Sequence, residues 1–165
     1  AMAIPSDKVI ESLASVRSAF GRMETFDLKG KRLQMILVKN PAGCNQAFSY
    51  LTGFDEDYIA VLCLNDRTGD GHDISWIEDT DYEKLVADEH LKKIYVGGDR
   101  AKDLKARLVK AGASEERMEM ITTYPSLVEQ LKEAPCPIFA LPNYTAMMEL
   151  RSALNAETGN REFWE

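Results

Sequence analysis

The sequence predicts an α/β domain: a mostly parallel sheet flanked by helices, with an antiparallel hairpin near its start. Three observations carry this. Strand-like and helical segments alternate along the chain, the arrangement that builds parallel sheets. Tyr58 to Leu64 is a short continuous apolar run, as in a strand buried on both faces. Lys29-Gly30-Lys31 separates two strand-like segments with turn residues.

The elements follow in order. Val9, Leu13, Val16 and Phe20 recur at helical spacing, so residues 7–20 read as an amphipathic helix stopped by Gly21. Residues 23–28 and 32–38 are the two strands of the hairpin. Lys39-Asn40-Pro41-Ala42-Gly43 ends the second, and a helix is predicted over 43–52. After the apolar strand comes a loop rich in Asp and Gly, then a helix over 80–88. Lys93 to Val96 is a strand that stops at Gly97-Gly98. A helix over 99–111 takes Asp99 as its N-cap and Gly112 as its stop. Met118 to Ile121 is a weak strand, and Pro125 opens a helix over 125–133. Pro137 to Leu141 is the last strand, and the last helix runs over 143–154 from Asn143. Residues 156–165 are expected to be a tail, 21–155 the domain, and 1–20 a linker or the terminal helix of a preceding domain.

At 165 residues the chain fits one domain with a substantial core. Its formal net charge of −7 excludes the electrostatic footprint of a nucleic-acid binder, and it disfavours anionic membrane surfaces. No apolar run reaches the roughly eighteen residues of a membrane span, and no basic-then-apolar leader is read at the start. The three cysteines, Cys44, Cys63 and Cys136, are odd in number and widely spaced, a poor disulfide framework. A reducing, cytoplasmic compartment and no bound metal are expected.

Loops that leave parallel strands at their carboxyl ends share one rim, where ligands gather. Three such loops carry polar residues: Lys39-Asn40-Pro41, Asn65 to Asp73, and Pro142-Asn143-Tyr144. The middle one holds Asp66, Asp70, Asp73 and His72. Asp and Gly suit tight turns, so this loop is compatible with turn chemistry alone and equally with a carboxylate site. An EF-hand does not fit, because the spacing of its ligands is absent. Asp73 is a candidate to orient a histidine, the part an acid plays in a triad. His72 is its sequence neighbour, however, and His90 lies in a charged stretch, so a complete triad inside this chain is not expected. Lys39 at a strand end, before the N–H groups of a helix start, is a combination that can meet phosphate. No P-loop sequence occurs.

Several segments in fixed order then acquire a common meaning. They are Phe20-Gly21-Arg22-Met23-Glu24, Leu37 to Gly43 with Asn45, Leu64-Asn65-Asp66, Asp70-Gly71 with Asp73, Ser75-Trp76-Ile77, Gly98 with Arg100-Ala101, and Leu141-Pro142-Asn143-Tyr144-Thr145. The series resembles the C-terminal, Rossmann-like domain of MurT-type Mur ligases and runs from about residue 20 to 154. The family loop reads Asp-Asn-x-Ala-Asp-Gly; here Arg67 and Gly69 replace its Asn and Ala, while Asp66, Asp70 and Asp73 are kept. Glu78 stands where the family has a second Trp.

The resemblance implies a parent with a central P-loop ATPase domain that uses ATP and Mg, paired with a GatD-type glutaminase. The pair converts the D-glutamate of lipid II to D-isoglutamine in peptidoglycan synthesis. By the same resemblance Asp73 completes a triad with the partner's Cys and His. Asp66, Asp70, Asn143 and Tyr144 are expected to meet substrate or partner, and Lys39 and Asn40 to face the nucleotide cleft. This chain alone is expected to be inactive, because the ATPase domain lies elsewhere. The alternatives are a non-catalytic binding domain of the same shape, or the C-terminal domain of an amino-acid-adding Mur ligase.

Overall fold

The computed structural model describes residues 22–159. The helix expected over 7–20 and the last six residues of the expected tail lie outside them. Strands β1 (Arg22–Leu28) and β2 (Lys31–Ile36) form the predicted antiparallel hairpin. Lys29 and Gly30 both have positive φ, 54° and 82°, as the favoured two-residue hairpin turn requires. The Asp27 carboxylate accepts the Gly30 N–H at 2.7 Å and closes it.

Helix α1 (Pro41–Leu51) leads to β3 (Tyr58–Cys63), and α2 (Tyr82–Val86) to β4 (Leu91–Gly97). Helix α3 (Ala101–Lys110) leads to the short β5 (Met118–Met120), α4 (Tyr124–Leu131) to β6 (Ile138–Pro142), and α5 (Tyr144–Thr158) closes the described chain. The six strands lie in the order β1-β2-β6-β3-β4-β5, and every pairing except β1–β2 is parallel.

Alternation along the central strands builds two cores. Ala60 and Leu62 of β3 and Phe139 and Leu141 of β6 pack with Phe48 and Leu51 of α1, Leu85 of α2, and Leu104 and Leu108 of α3. Ile59, Val61 and Cys63, with Ile138 and Ala140, point the other way, onto Leu127 and Val128 of α4 and Met147, Leu150 and Leu154 of α5. The sheet is therefore covered on both faces, and all six residues of β3 are buried. Each such aliphatic side chain contributes roughly 1.5–3 kcal/mol over an exposed one.

The boundaries differ from expectation for local reasons. Helix α1 begins two residues early, because the Asn40 side chain caps it by accepting the Gly43 N–H at 2.8 Å and Pro41 suits its first position. Helix α3 begins at Ala101 rather than 99, and Asp99 is not its N-cap: that carboxylate is held by Arg67. Helix α5 continues through Thr158, into the expected tail, and ends on Gly159 at φ 68°. Gly112, at φ 97°, follows α3 as predicted.

Candidate functional site

The neighbouring strands β3 and β6 bring their C-terminal loops together. Asn65 and Asn143, the residues just past these strands, are both buried. The Asn65 N–H donates to Asn143 Oδ1 at 3.0 Å, and Asn143 Nδ2 returns a bond to the Asn65 carbonyl at 2.7 Å. Asn65 Nδ2 donates to Thr145 Oγ1, and Asn65 Oδ1 accepts the Asp99 N–H from the β4 loop at 2.7 Å. One buried asparagine thus ties three strand ends into one rim. A buried amide needs a partner for its nitrogen and one for its oxygen, and here both have one.

This arrangement diverts Asn143 from capping α5, since its side chain makes no cap bond. Asp70 takes over. Its carboxylate accepts the Thr145 N–H at 2.8 Å and the Thr145 hydroxyl. A negative group here is favoured, because the helix start carries unpaired N–H groups and the positive end of the helix dipole. Asp70 therefore caps, from a loop 75 residues away in sequence, the helix that Asn143 opens.

The rest of the loop is stapled as well. Arg67 forks onto both carboxylate oxygens of Asp99 at 2.6 and 3.0 Å and reaches Glu149 of α5 at 2.6 Å. These partners raise the Arg67 pKa, Asp99 first, and Arg67 holds the Asp99 carboxyl below its ordinary range. Arg100 lies 3.2 Å from Asp103 and 3.6 Å from Asp66. Gly98 lets the β4 loop pass beneath: at φ 91°, a Cβ there would sit 2.3 Å from the Leu64 carbonyl oxygen.

Beyond Asp70 the chain turns through Gly71 at φ 79°. The His72 ring meets the Asp66 carbonyl through Nδ1 at 2.7 Å. A carbonyl only accepts, so Nδ1 carries the proton of this bond. Asp73 follows, exposed, with one carboxylate oxygen accepting the Ser75 N–H at 2.8 Å. That backbone bond, then the Ser75 side chain, holds its carboxyl below the ordinary 3.8, so it is an anion at neutral pH.

The sequence-predicted residues therefore divide. Asp66, Asp70, Asn143 and Tyr144 gather with Asp73 around one loop. Asn143 and Asp70 turn inward as fastenings, and Tyr144, exposed, lays its ring against Gly69. Lys39 and Asn40 lie on the β2 loop, which joins the rim where the Val38 N–H meets the Pro142 carbonyl at 3.0 Å. Both are exposed, and Asn40 spends its side-chain oxygen on Gly43. Asn65, Arg67 and Thr145 join these residues at the rim, and spacing along the chain does not reveal them. Only Asn65, a polar residue set directly after a buried strand, carries a local hint.

Of a nucleotide site this rim supplies a single contact only. Lys39 offers a single point charge, and the α1 start is already capped by Asn40. Among the described residues, no group of three or more His, Cys, Asp or Glu is placed to hold a metal. No described helix is long and apolar enough to cross a membrane.

Comparison with known proteins gives a consistent picture. The family model for the MurT ligase C-terminal domain matches residues 37–147. The chain is 32% identical over 139 residues to the lipid II isoglutaminyl synthase (glutamine-hydrolyzing) subunit MurT of Streptococcus pneumoniae, covering 84% of this chain and 31% of that protein. It is 33% identical over 135 residues to the subunit of the same name from Staphylococcus aureus, covering 82% and 30%. The chain thus spans about a third of the length of the curated relatives it matches. Among solved structures, folylpolyglutamate synthase of Thermotoga maritima superposes with a TM-score of 0.65 at 17% identity, over 98% of this chain and 36% of that one. MurF of Acinetobacter baumannii does so with a TM-score of 0.61 at 17% identity, over 95% and 34%. These two likenesses establish the fold.

Proposed function

This chain belongs to the MurT ligase C-terminal family, and on that premise we propose that it is the domain through which an ATP-dependent amidating ligase engages a glutaminase partner. The parent complex converts the D-glutamate of lipid II to D-isoglutamine. Glutamine and water give glutamate and ammonia at the partner. The ligase converts the carboxylate to an acyl phosphate at the expense of ATP, and ammonia displaces phosphate to leave the amide. The P-loop chemistry belongs to another domain, so this chain alone neither hydrolyses ATP nor amidates. The work is cytoplasmic, where ATP and glutamine are available.

The observation that supports this reading is the state of Asp73. It is an exposed, ionised carboxylate on a fastened loop, and the chain's own imidazoles are engaged elsewhere. His72 bonds the Asp66 carbonyl, and His90 lies 3.3 Å from Asp57. Cys44 and Cys63 are buried, with thiols pushed up to about 12 by loss of solvent, so neither is a nucleophile. An imidazole that Asp73 orients must come from a partner. There the carboxylate accepts the ring N–H, fixes its tautomer and stabilises the imidazolium formed as the partner's Cys loses its proton.

The test is a paired assay of Asp73→Asn in the assembled complex. Glutamine hydrolysis should fall by about 10⁴-fold, as in the type case of an acid-to-amide change in a triad. Amidation driven by added ammonium should persist, because it bypasses the partner. Loss of both activities, or of neither, would overturn the assignment.

A further inference from the structure

A shallow groove of about 300 Å³ runs between Ser75–Ile77 and α3, but nothing shows what would fill it. The Asn155 amide is buried with no hydrogen-bond partner. The positive φ of Met23, at 60°, belongs to the bulge that starts β1. The rim itself carries further.

We infer that Thr145 is a positioning residue for the glutaminase half-reaction, acting through Asp70 to fix where Asp73 stands. This rests on the reading of Asp73 given above. Thr145 turns both its N–H and its hydroxyl to the loop. Its N–H and its hydroxyl both donate to the Asp70 carboxylate, and its oxygen accepts Asn65 Nδ2. Its methyl packs where Gly69 passes, 3.3 Å from the position a Cβ would take. The clasp therefore grips both ends of the segment 65–70. Two residues on, the His72–Asp66 bond closes the segment 66–72 into a loop of its own. Only Asp73 and its Asx turn to Ser75 remain outside, projecting from that closed loop.

The consequence is geometric. A carboxylate that must meet an imidazole on another protein gains nothing from reach if its own position wanders. Displacement of about 1 Å at such a contact can cost on the order of 10²-fold in rate. The clasp supplies the rigid support that a site on a loop otherwise lacks. Thr145 never touches substrate or the partner's imidazole in this account.

The experiment uses the complete ligase–glutaminase complex with Thr145→Val, Thr145→Ser, Asp73→Asn and the double variant Thr145→Val/Asp73→Asn. Valine keeps the shape and the backbone N–H but removes the hydroxyl; serine keeps the hydroxyl. Glutamine kcat should fall by roughly 10–10²-fold in Thr145→Val, with KM for glutamine unchanged, and recover in Thr145→Ser. The double variant should be no slower than Asp73→Asn alone, since two residues acting through one contact are not additive. Hydrogen exchange over residues 66–73 should quicken in Thr145→Val while that of β3 stays slow, which separates a loosened loop from an unfolded domain. Wild-type kcat in Thr145→Val beside an inactive Asp73→Asn, or a fully additive double variant, overturns the clasp alone. Full activity of Asp73→Asn overturns the triad reading beneath it.

Discussion

Two loops leave the same rim of the sheet, and they are built in opposite ways. Residues 64–73 are fastened to α5 and the β4 loop by Asn65, Arg67 and Asp70, each through side-chain bonds to residues distant in sequence. Residues 39–43 carry one local side-chain bond, the Asn40 cap on Gly43. Lys39 remains exposed. The first loop spends most of its polar groups on neighbouring elements and leaves Asp73 exposed. The second leaves the Lys39 cation exposed on a flexible stem. One rim thus combines a firmly fastened loop with a lightly held one.

That contrast can be broken at its strongest point. Gly98→Ala introduces a Cβ against the Leu64 carbonyl, at a φ that side chains other than glycine rarely adopt. We expect a stability loss of about 3 kcal/mol, read as a lowered denaturation midpoint with unchanged m, because strain and a backbone clash coincide. A neutral result would mean that the β4 loop is free to move away, and that the rim is looser than its hydrogen bonds imply. At the other extreme, Lys39→Ala should change stability by less than about 0.5 kcal/mol. Its effect should fall on ATP-dependent amidation, with KM for ATP raised, and not on glutamine hydrolysis. Loss of glutamine hydrolysis in that variant would erase the division of labour between the two loops.

The fold was legible where the chain alone sets the outcome. The run Tyr58–Cys63 is buried throughout, as its continuous apolar character requires. Lys29-Gly30 makes the hairpin, and Gly112 ends α3. The site was legible only in part. The loop that holds Asp73 was placed on the rim it shares with the β6 loop. Which carboxylate stays free could not be read, because that depends on partners far along the chain. Asp99 looked like a helix cap until Arg67, 32 residues earlier, claimed it with two charge-assisted bonds. Asn143 opens α5 as expected but gives that helix no side-chain cap, because its buried amide is bonded to the Asn65 backbone. Arg107 stands in a helix that reads as amphipathic, yet it is buried. Its guanidinium bonds the carbonyls of Ile77 and Thr80 and both carboxylate oxygens of Glu83. Periodicity reports which face a helix buries, not the long-range acceptors waiting there.

The central claim is that Asp73 lies against an imidazole of the partner. The most direct measurement is the pKa of that imidazole in the assembled complex, followed by NMR in the wild type and in Asp73→Asn. A carboxylate beside a histidine favours the charged ring and so raises its pKa. Replacing Asp73 by Asn should therefore lower the partner's value by roughly 1–3 units, with the complex intact. An imidazole that titrates identically with either residue would contradict the account.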